Sequence, residues 1–187
     1  MKTRLAWAVL AVAAVSLAGC SQHIEYAPSQ DHQALESSEF LHFMAQEPMV
    51  TYDQLGRAAL LLADGEERPM SFDERVAELK SRGIVREEWN YAADTIVNRG
   101  TLAYVILKVC RMPGGINTFL SGLTGLGCER YALKEVTRRK IVPYGFAYQV
   151  PTGGEVARAL ARADDYMAKR GLYESAEGEL DSPEDIE

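Results

Sequence analysis

A helix start written three times over is the feature that most constrains what this chain can fold into. In Ile96-Val97-Asn98-Arg99-Gly100-Thr101-Leu102-Ala103, Asn98 can cap the free amides of a first turn and Thr101 stands at the capping-box position. Related stretches occur upstream, Val50-Thr51-Tyr52-Asp53-Gln54-Leu55-Gly56, and downstream, Pro151-Thr152-Gly153-Gly154-Glu155-Val156-Ala157. The caps Thr51, Asn98 and Thr152 are 47 and 54 residues apart. Four residues beyond each cap the chain is apolar (Leu55, Leu102, Val156), and the next residue is small (Gly56, Ala103, Ala157). Small residues at one matched position imply close helix approach. A unit recurring at this period implies a repeat fold whose units bury their apolar faces against one another.

Read in order, the chain predicts an all-α body with long loops. Glu39 to Gln46 is a short apolar helix stopped before Pro48, and Thr51 with Gln54 opens a second that ends at Asp64-Gly65. Ser71 and Glu74 form another capping box, with Phe72, Val76 and Leu79 on one face and a stop at Gly83-Ile84-Val85. Eight of the ten residues from Thr101 to Cys110 are apolar, which marks the most buried helix; a short apolar run also leaves a strand open. Residues 112–127 carry Pro113 and five glycines and read as a loop with a helical turn at 116–120; Gly122 to Gly127 fits no phosphate-loop pattern. Glu129 to Lys140 returns to helix and closes on Lys140-Ile141-Val142, and Thr152 with Glu155 opens the last helix, which ends near Gly171. The lobes are thus residues 39–65, 71–112 and 129–171 of a single domain over 39–173.

The termini differ in kind. Residues 1–20 have a basic start (Lys2, Arg4), an apolar stretch too short to span a bilayer and the tetrapeptide Leu17-Ala18-Gly19-Cys20. That tetrapeptide resembles the bacterial lipobox, which implies a lipoprotein signal peptide, lipidation of Cys20 and a membrane partner through that lipid. Ser21, where Asp is absent, implies outer-membrane sorting by the same resemblance. Residues 21–38 read as a flexible, disordered tether. Residues 174–187 hold seven acids and no Lys or Arg, so this tail alone matches the net charge of −7 and reads as disordered. The near-neutral remainder has no basic face of the kind nucleic acid requires.

The helix-loop-helix pattern resembles S-layer homology (SLH) domains. Their hallmark is a helix start of the form Ile/Val-Thr-Arg-x-Glu-Leu/Phe-Ala after a loop that follows Gly-Ile/Val. Gly83-Ile84-Val85 and Val97-Asn98-Arg99-Gly100-Thr101-Leu102-Ala103 keep the Arg and lose the Glu, while Thr152 and Glu155 keep Thr and Glu and have Gly153 for the Arg. The first copy keeps Thr51 with Gln54 and lacks a full leading helix. The resemblance implies three degenerate lobes with pseudo-threefold symmetry and a partner that is cell-wall polysaccharide or an envelope protein. It places a ligand site at Arg99 and Asn98, with Thr152 and Glu155 at the neighbouring start.

Beside this stand readings from the residues alone. An Arg at a helix N-terminus can hold an anion, or it can bridge a neighbouring lobe's carboxylate or carbonyl. Trp89 and Tyr91 can stack on a sugar ring or plug a lobe interface. Cys110 and Cys128 form a disulfide across the glycine-rich loop or remain buried thiols. All three histidines (His23, His32, His42) precede the repeats, so unless the N-terminal segment folds back the body has no imidazole for a triad or a zinc site. Asp64-Gly65-Glu66-Glu67 lacks the spacing of a calcium loop. The chain is therefore expected to be a non-catalytic envelope lipoprotein without cofactor or metal, with a purely structural partner-binding role as one alternative. A hydrolase using carboxylates such as Asp94 and Glu155 is the other.

Overall fold

The computed structural model describes residues 26–113 and 128–173. Residues 1–25, with the expected export signal, Cys20 and the start of the expected tether, the glycine-rich segment 114–127 and the acidic residues 174–187 lie outside the described residues. Within them the protein is helical: a 3-10 turn His32–Ala34, then α1 Ser37–Gln46, α2 Tyr52–Asp64, α3 Phe72–Ser81, α4 Arg99–Val109, α5 Cys128–Arg138 and α6 Gly153–Arg170, with no strand. The strand alternative for the apolar run ending at Cys110 is thereby removed. No helix among these residues is long and apolar enough to cross a membrane.

The caps form because their chemistry is local. Thr51, Ser71 and Thr152 each accept the amide three residues on, and Gln54, Glu74 and Glu155 return a side-chain acceptor to the cap's own amide. Asn98 accepts the Thr101 amide at 2.9 Å, but the Thr101 hydroxyl also turns to Asn98 Oδ1, so that box is one-sided. The leading helix of the first lobe begins at Ser37, earlier than expected, and at ten residues is as long as α3. The Ile-Val echo has a structural basis as well. The Ile84 amide donates to the Leu79 carbonyl and the Ile141 amide to that of Val136, each one residue after a left-handed residue, Gly83 (φ +65°) and Lys140 (φ +61°). The same turn then buries Ile84, Val85, Ile141 and Val142.

Packing follows a cycle. Helix α2 lies on α3, α4 on α5, and α6 on α1, while α2, α4 and α6 also touch one another. Gly56, the small residue of the first copy, admits Leu79 and Arg75 of α3, and its counterpart Ala103 is fully buried. Fully buried Leu55, Leu102, Ile106 and Val156 fill the centre, each contributing roughly 1.5 to 3 kcal/mol of apolar burial.

The first-turn amides that a helix leaves unpaired are satisfied between units. Tyr52 and Asp53 of α2 donate to the Thr95 and Ala93 carbonyls in the loop before α4. Arg99 and Gly100 of α4 donate, both at 2.8 Å, to Gln149 and Ala147 in the loop before α6. Gly153 of α6 donates to Glu47, just before α2, at 3.0 Å. At Gly153 a side chain would collide with the Met44 carbonyl oxygen, so only glycine lets α6 reach α1 this closely. The starts of α2, α4 and α6 therefore gather at one end of the bundle.

The tether reading is corrected from Tyr26 onward. Its polar residues, which suggest disorder by composition, are partners for charges on the body. Tyr26 and Ser29 donate to the Glu47 carboxylate, Gln33 to Asp53 at 2.8 Å, and Arg57 reaches back to the His32 and Leu35 carbonyls. His32 is buried with Nε2 3.3 Å from Asp53 Oδ2, so an imidazole does enter the body.

Candidate functional site

Arg99 is where the sequence places the ligand, and it is fully engaged within the protein. The guanidinium donates to Glu155 Oε1 at 2.6 Å, Gln149 Oε1 at 2.9 Å and the Tyr144 carbonyl at 3.3 Å, and the residue is 6% exposed. The other Glu155 oxygen accepts the Thr152 amide at 3.0 Å. Asn98, Arg99, Thr152 and Glu155 are thus brought together as a bridge between two helix starts, the second of the two roles open to such an arginine. Glu155, one of the two acids weighed as a carboxylate pair with Asp94, has one oxygen on Arg99 and the other on its own helix cap.

Trp89 is also 6% exposed, packed edge-on against Tyr52 (6.4 Å, 72°) and tilted against Tyr91 and Tyr104 (5.4 and 5.2 Å). Tyr91 stands edge-on to Tyr52 at 5.1 Å. Burial pushes the Tyr52 hydroxyl up to about 12, with Tyr91 adding to it, which marks how dry this aromatic cluster is. Trp89 therefore plugs an interface, with the half-buried Tyr91 packed beside it.

The two thiols stay apart, against the disulfide reading. Gly100 near the start of α4 lies against Glu129 near the start of α5, while the far ends of both helices reach the middle of α6, so the two run in parallel. Cys128 opens α5 and Cys110 closes α4, so about ten residues of helix, roughly 15 Å, separate them along that direction. A disulfide needs Cα atoms within about 7 Å. Cys110 faces the Ala163 carbonyl, and burial, with Asp164 nearby, pushes its thiol up to about 12.

The exposed counterpart of the Trp89 cluster lies in the loop before α6. Tyr144 is 86%, Phe146 61% and Tyr148 77% exposed, and the Phe146 and Tyr148 rings stack at 5.5 Å and 11°. Their backbone is fixed: the Ala147 and Gln149 carbonyls receive the first amides of α4, and that of Tyr144 receives Arg99. Facing the loop is one stripe of α5, Arg130, Lys134 and Thr137, spaced at i, i+4, i+7. Loop and stripe enclose a cleft of about 680 Å³ with Leu133 at its floor. No carboxylate among the described residues pairs with Arg130 or Lys134, while Glu135 holds Arg138 and Arg139; Thr137 Oγ1 is buried without a partner.

Two other clefts hold paired charges. One of about 910 Å³ beneath the N-terminal strap has Arg57 paired to Glu67 and Arg75 to Asp53. Burial raises the Asp53 carboxyl, but the hydrogen bond from His32 and the charge and bond of Arg75 outweigh it and leave it below the ordinary range. The other, about 520 Å³ where α2, α4 and α6 end, has Arg82 paired to Asp64 and Glu78 and Lys108 over the Tyr104 ring. Cations there offset helix C-termini. No group of three or more potential metal ligands occurs among the described residues.

The aromatic cleft was missed by sequence reasoning, which passed over 143–149 as a connecting loop. Its signal was present: Tyr-x-Phe-x-Tyr between Pro143 and Pro151, with two cations one turn apart on the preceding helix. Compared with known protein families, with curated proteins and with solved structures, the chain matches none.

Proposed function

We propose that this is a non-catalytic, lipid-anchored scaffold of the cell envelope, placed at the outer membrane, whose body is an SLH-like set of three degenerate lobes, α1–α2, α3–α4 and α5–α6. The observation that carries the reading is the cycle of first-turn amides, each inner helix donating to the loop before the next and the last returning to Glu47. Pairwise packing of α2 on α3, α4 on α5 and α6 on α1 supports it independently. Arg99 and Trp89, turned inward, favour scaffolding or protein binding over a polysaccharide site at the motif arginine. Binding of cell-wall polysaccharide is the second reading, favoured only by the exposed rings of Tyr144, Phe146 and Tyr148.

Two measurements test this. Mass analysis of the N-terminal peptide and membrane fractionation should find a lipidated Cys20 and membrane-bound protein, with Cys20→Ala displaced from the membrane fraction. An unmodified Cys20 on a protein recovered in the soluble fraction overturns lipid anchorage. Purified sacculi should fail to sediment the protein; sedimentation lost on Tyr144→Ala/Tyr148→Ala would establish the polysaccharide reading instead.

A further inference from the structure

We infer that the 144–148 loop and the Arg130–Lys134 face of α5 dock on a bilayer surface bearing anionic headgroups, as a second attachment beside the Cys20 lipid. The inference rests on the lipid anchorage proposed above. The cleft's lining holds Arg130, Leu133, Lys134, Thr137 and the aromatic loop, and no Asp, Glu, Asn or Gln. It therefore lacks the carboxylates and side-chain amides that most often hold the paired hydroxyls of a neutral sugar. What it offers is tyrosines with apolar bodies and polar tips, one phenylalanine, and long cations whose stems lie along apolar surface. These are the groups that settle at the boundary between headgroups and acyl chains.

Charge points the same way. In a chain of net −7, most arginines among the described residues are spent on neighbouring carboxylates, whereas Arg130 and Lys134 have none there and stand beside the exposed rings of Tyr144, Phe146 and Tyr148. Position provides the third argument. Tyr26 is held by Glu47, whose carbonyl receives the first amide of α6, and the aromatic loop is tied through Arg99 to Glu155 in that same first turn. Both therefore lie at the end of the bundle where the inner helices start. Only five residues lie between Cys20 and Tyr26, six Cα steps with a reach of about 20 Å at full extension. A lipid on Cys20 thus keeps the end that carries the loop close to the membrane. Because three backbone carbonyls of the 144–149 segment are already bonded to α4, the rings are presented without ordering a loop first.

The test uses lipidated protein reconstituted into phosphatidylcholine vesicles with and without phosphatidylglycerol, and Phe146→Trp as a reporter beside the buried Trp89. With phosphatidylglycerol the reporter's emission should move to the blue and be quenched by brominated lipid. Arg130→Glu/Lys134→Glu should abolish both changes while the protein stays on the vesicles through Cys20. For the processed, unlipidated chain from residue 20 carrying Cys20→Ser, the same pair of substitutions should weaken vesicle partition about thirtyfold, roughly fivefold per cation. Unchanged thermal midpoints verify that these exposed variants remain folded. A reporter that stays solvent-exposed on anchored protein, or one quenched equally without phosphatidylglycerol, overturns the inference. So does loop-dependent sedimentation with sacculi in place of vesicles. Failure of the anchorage itself is distinct: the protein would then leave the vesicles altogether.

Discussion

Two loops of this protein do the same work with their backbones and opposite work with their side chains. The segment before α4 and the segment before α6 each follow a left-handed turn and a buried Ile-Val pair. Each offers carbonyls three and five residues before its cap to the first amides of the preceding inner helix. In the first loop Trp89 turns inward; in the second Tyr144, Phe146 and Tyr148 remain outside. The difference lies in what each loop meets. The residue after the cap is Tyr52 in α2 and Arg99 in α4. Tyr52 presents a ring on which Trp89 and Tyr91 pack, whereas Arg99 takes a carbonyl, an amide oxygen and a carboxylate, leaving no apolar bay for the rings to enter. The residue after the cap thus differs in step with the loop it meets, aromatic under the buried rings and charged under the exposed ones.

The largest effect should come from attacking the buried side. Trp89→Ala is expected to cost about 3 to 5 kcal/mol in urea unfolding, while Tyr148→Ala stays within about 0.5 kcal/mol. Equal costs would erase the distinction. Arg99→Ala, which leaves Glu155 and the Tyr144 carbonyl without their donor, should cost about 2 kcal/mol and speed amide exchange at Gly100. Unchanged exchange there would mean the exposed loop does not need its arginine. A lesser effect is expected from acid on the other loop, to which Asp53 donates its amide. The Asp53 carboxyl titrates lower folded than unfolded, so its contribution is complete above the unfolded value of about 3.9 and disappears as pH falls through the folded one. Asp53→Asn should remove that part of the acid slope in a series of unfolding midpoints; an unaltered slope refutes the assignment. The smallest change sharpens the match between the two turns. Lys140→Gly, restoring the residue found at Gly83, should stabilise by about 0.5 to 1 kcal/mol, measured as a raised thermal midpoint.

What was legible in the sequence was what is decided locally. Thr51, Ser71, Asn98 and Thr152 cap helices because a side-chain oxygen and an amide three residues on meet without help from elsewhere. The burial of α4 was legible for the same reason, since an apolar run of that density has few places to go. Direction and pairing were not. Cys110 and Cys128 looked joinable along the chain, and only the parallel course of α4 and α5 sets them at opposite ends. The segment from Tyr26 to Ser38 looked unstructured because composition counts polar residues without knowing that Glu47, Asp53 and Arg57 await them. Arg99 suggests binding by its place in the SLH-like motif and Trp89 by residue type, yet both serve interior contacts, and only the Tyr-x-Phe-x-Tyr spacing before α6 signals the outward rings.

The amide returned by α6 to Glu47 has a topological consequence. In a solenoid each unit meets only its neighbours, so units can be added and the ends need dedicated caps. Here the last donor is consumed by the first acceptor, and the circuit is complete with the units it has. The first-turn amide of α6 and the carbonyl of Glu47 thus satisfy one another, so neither end of the described body depends on a dedicated cap there. The described body therefore closes on itself through α6 and the segment between α1 and α2 instead of ending on an open face.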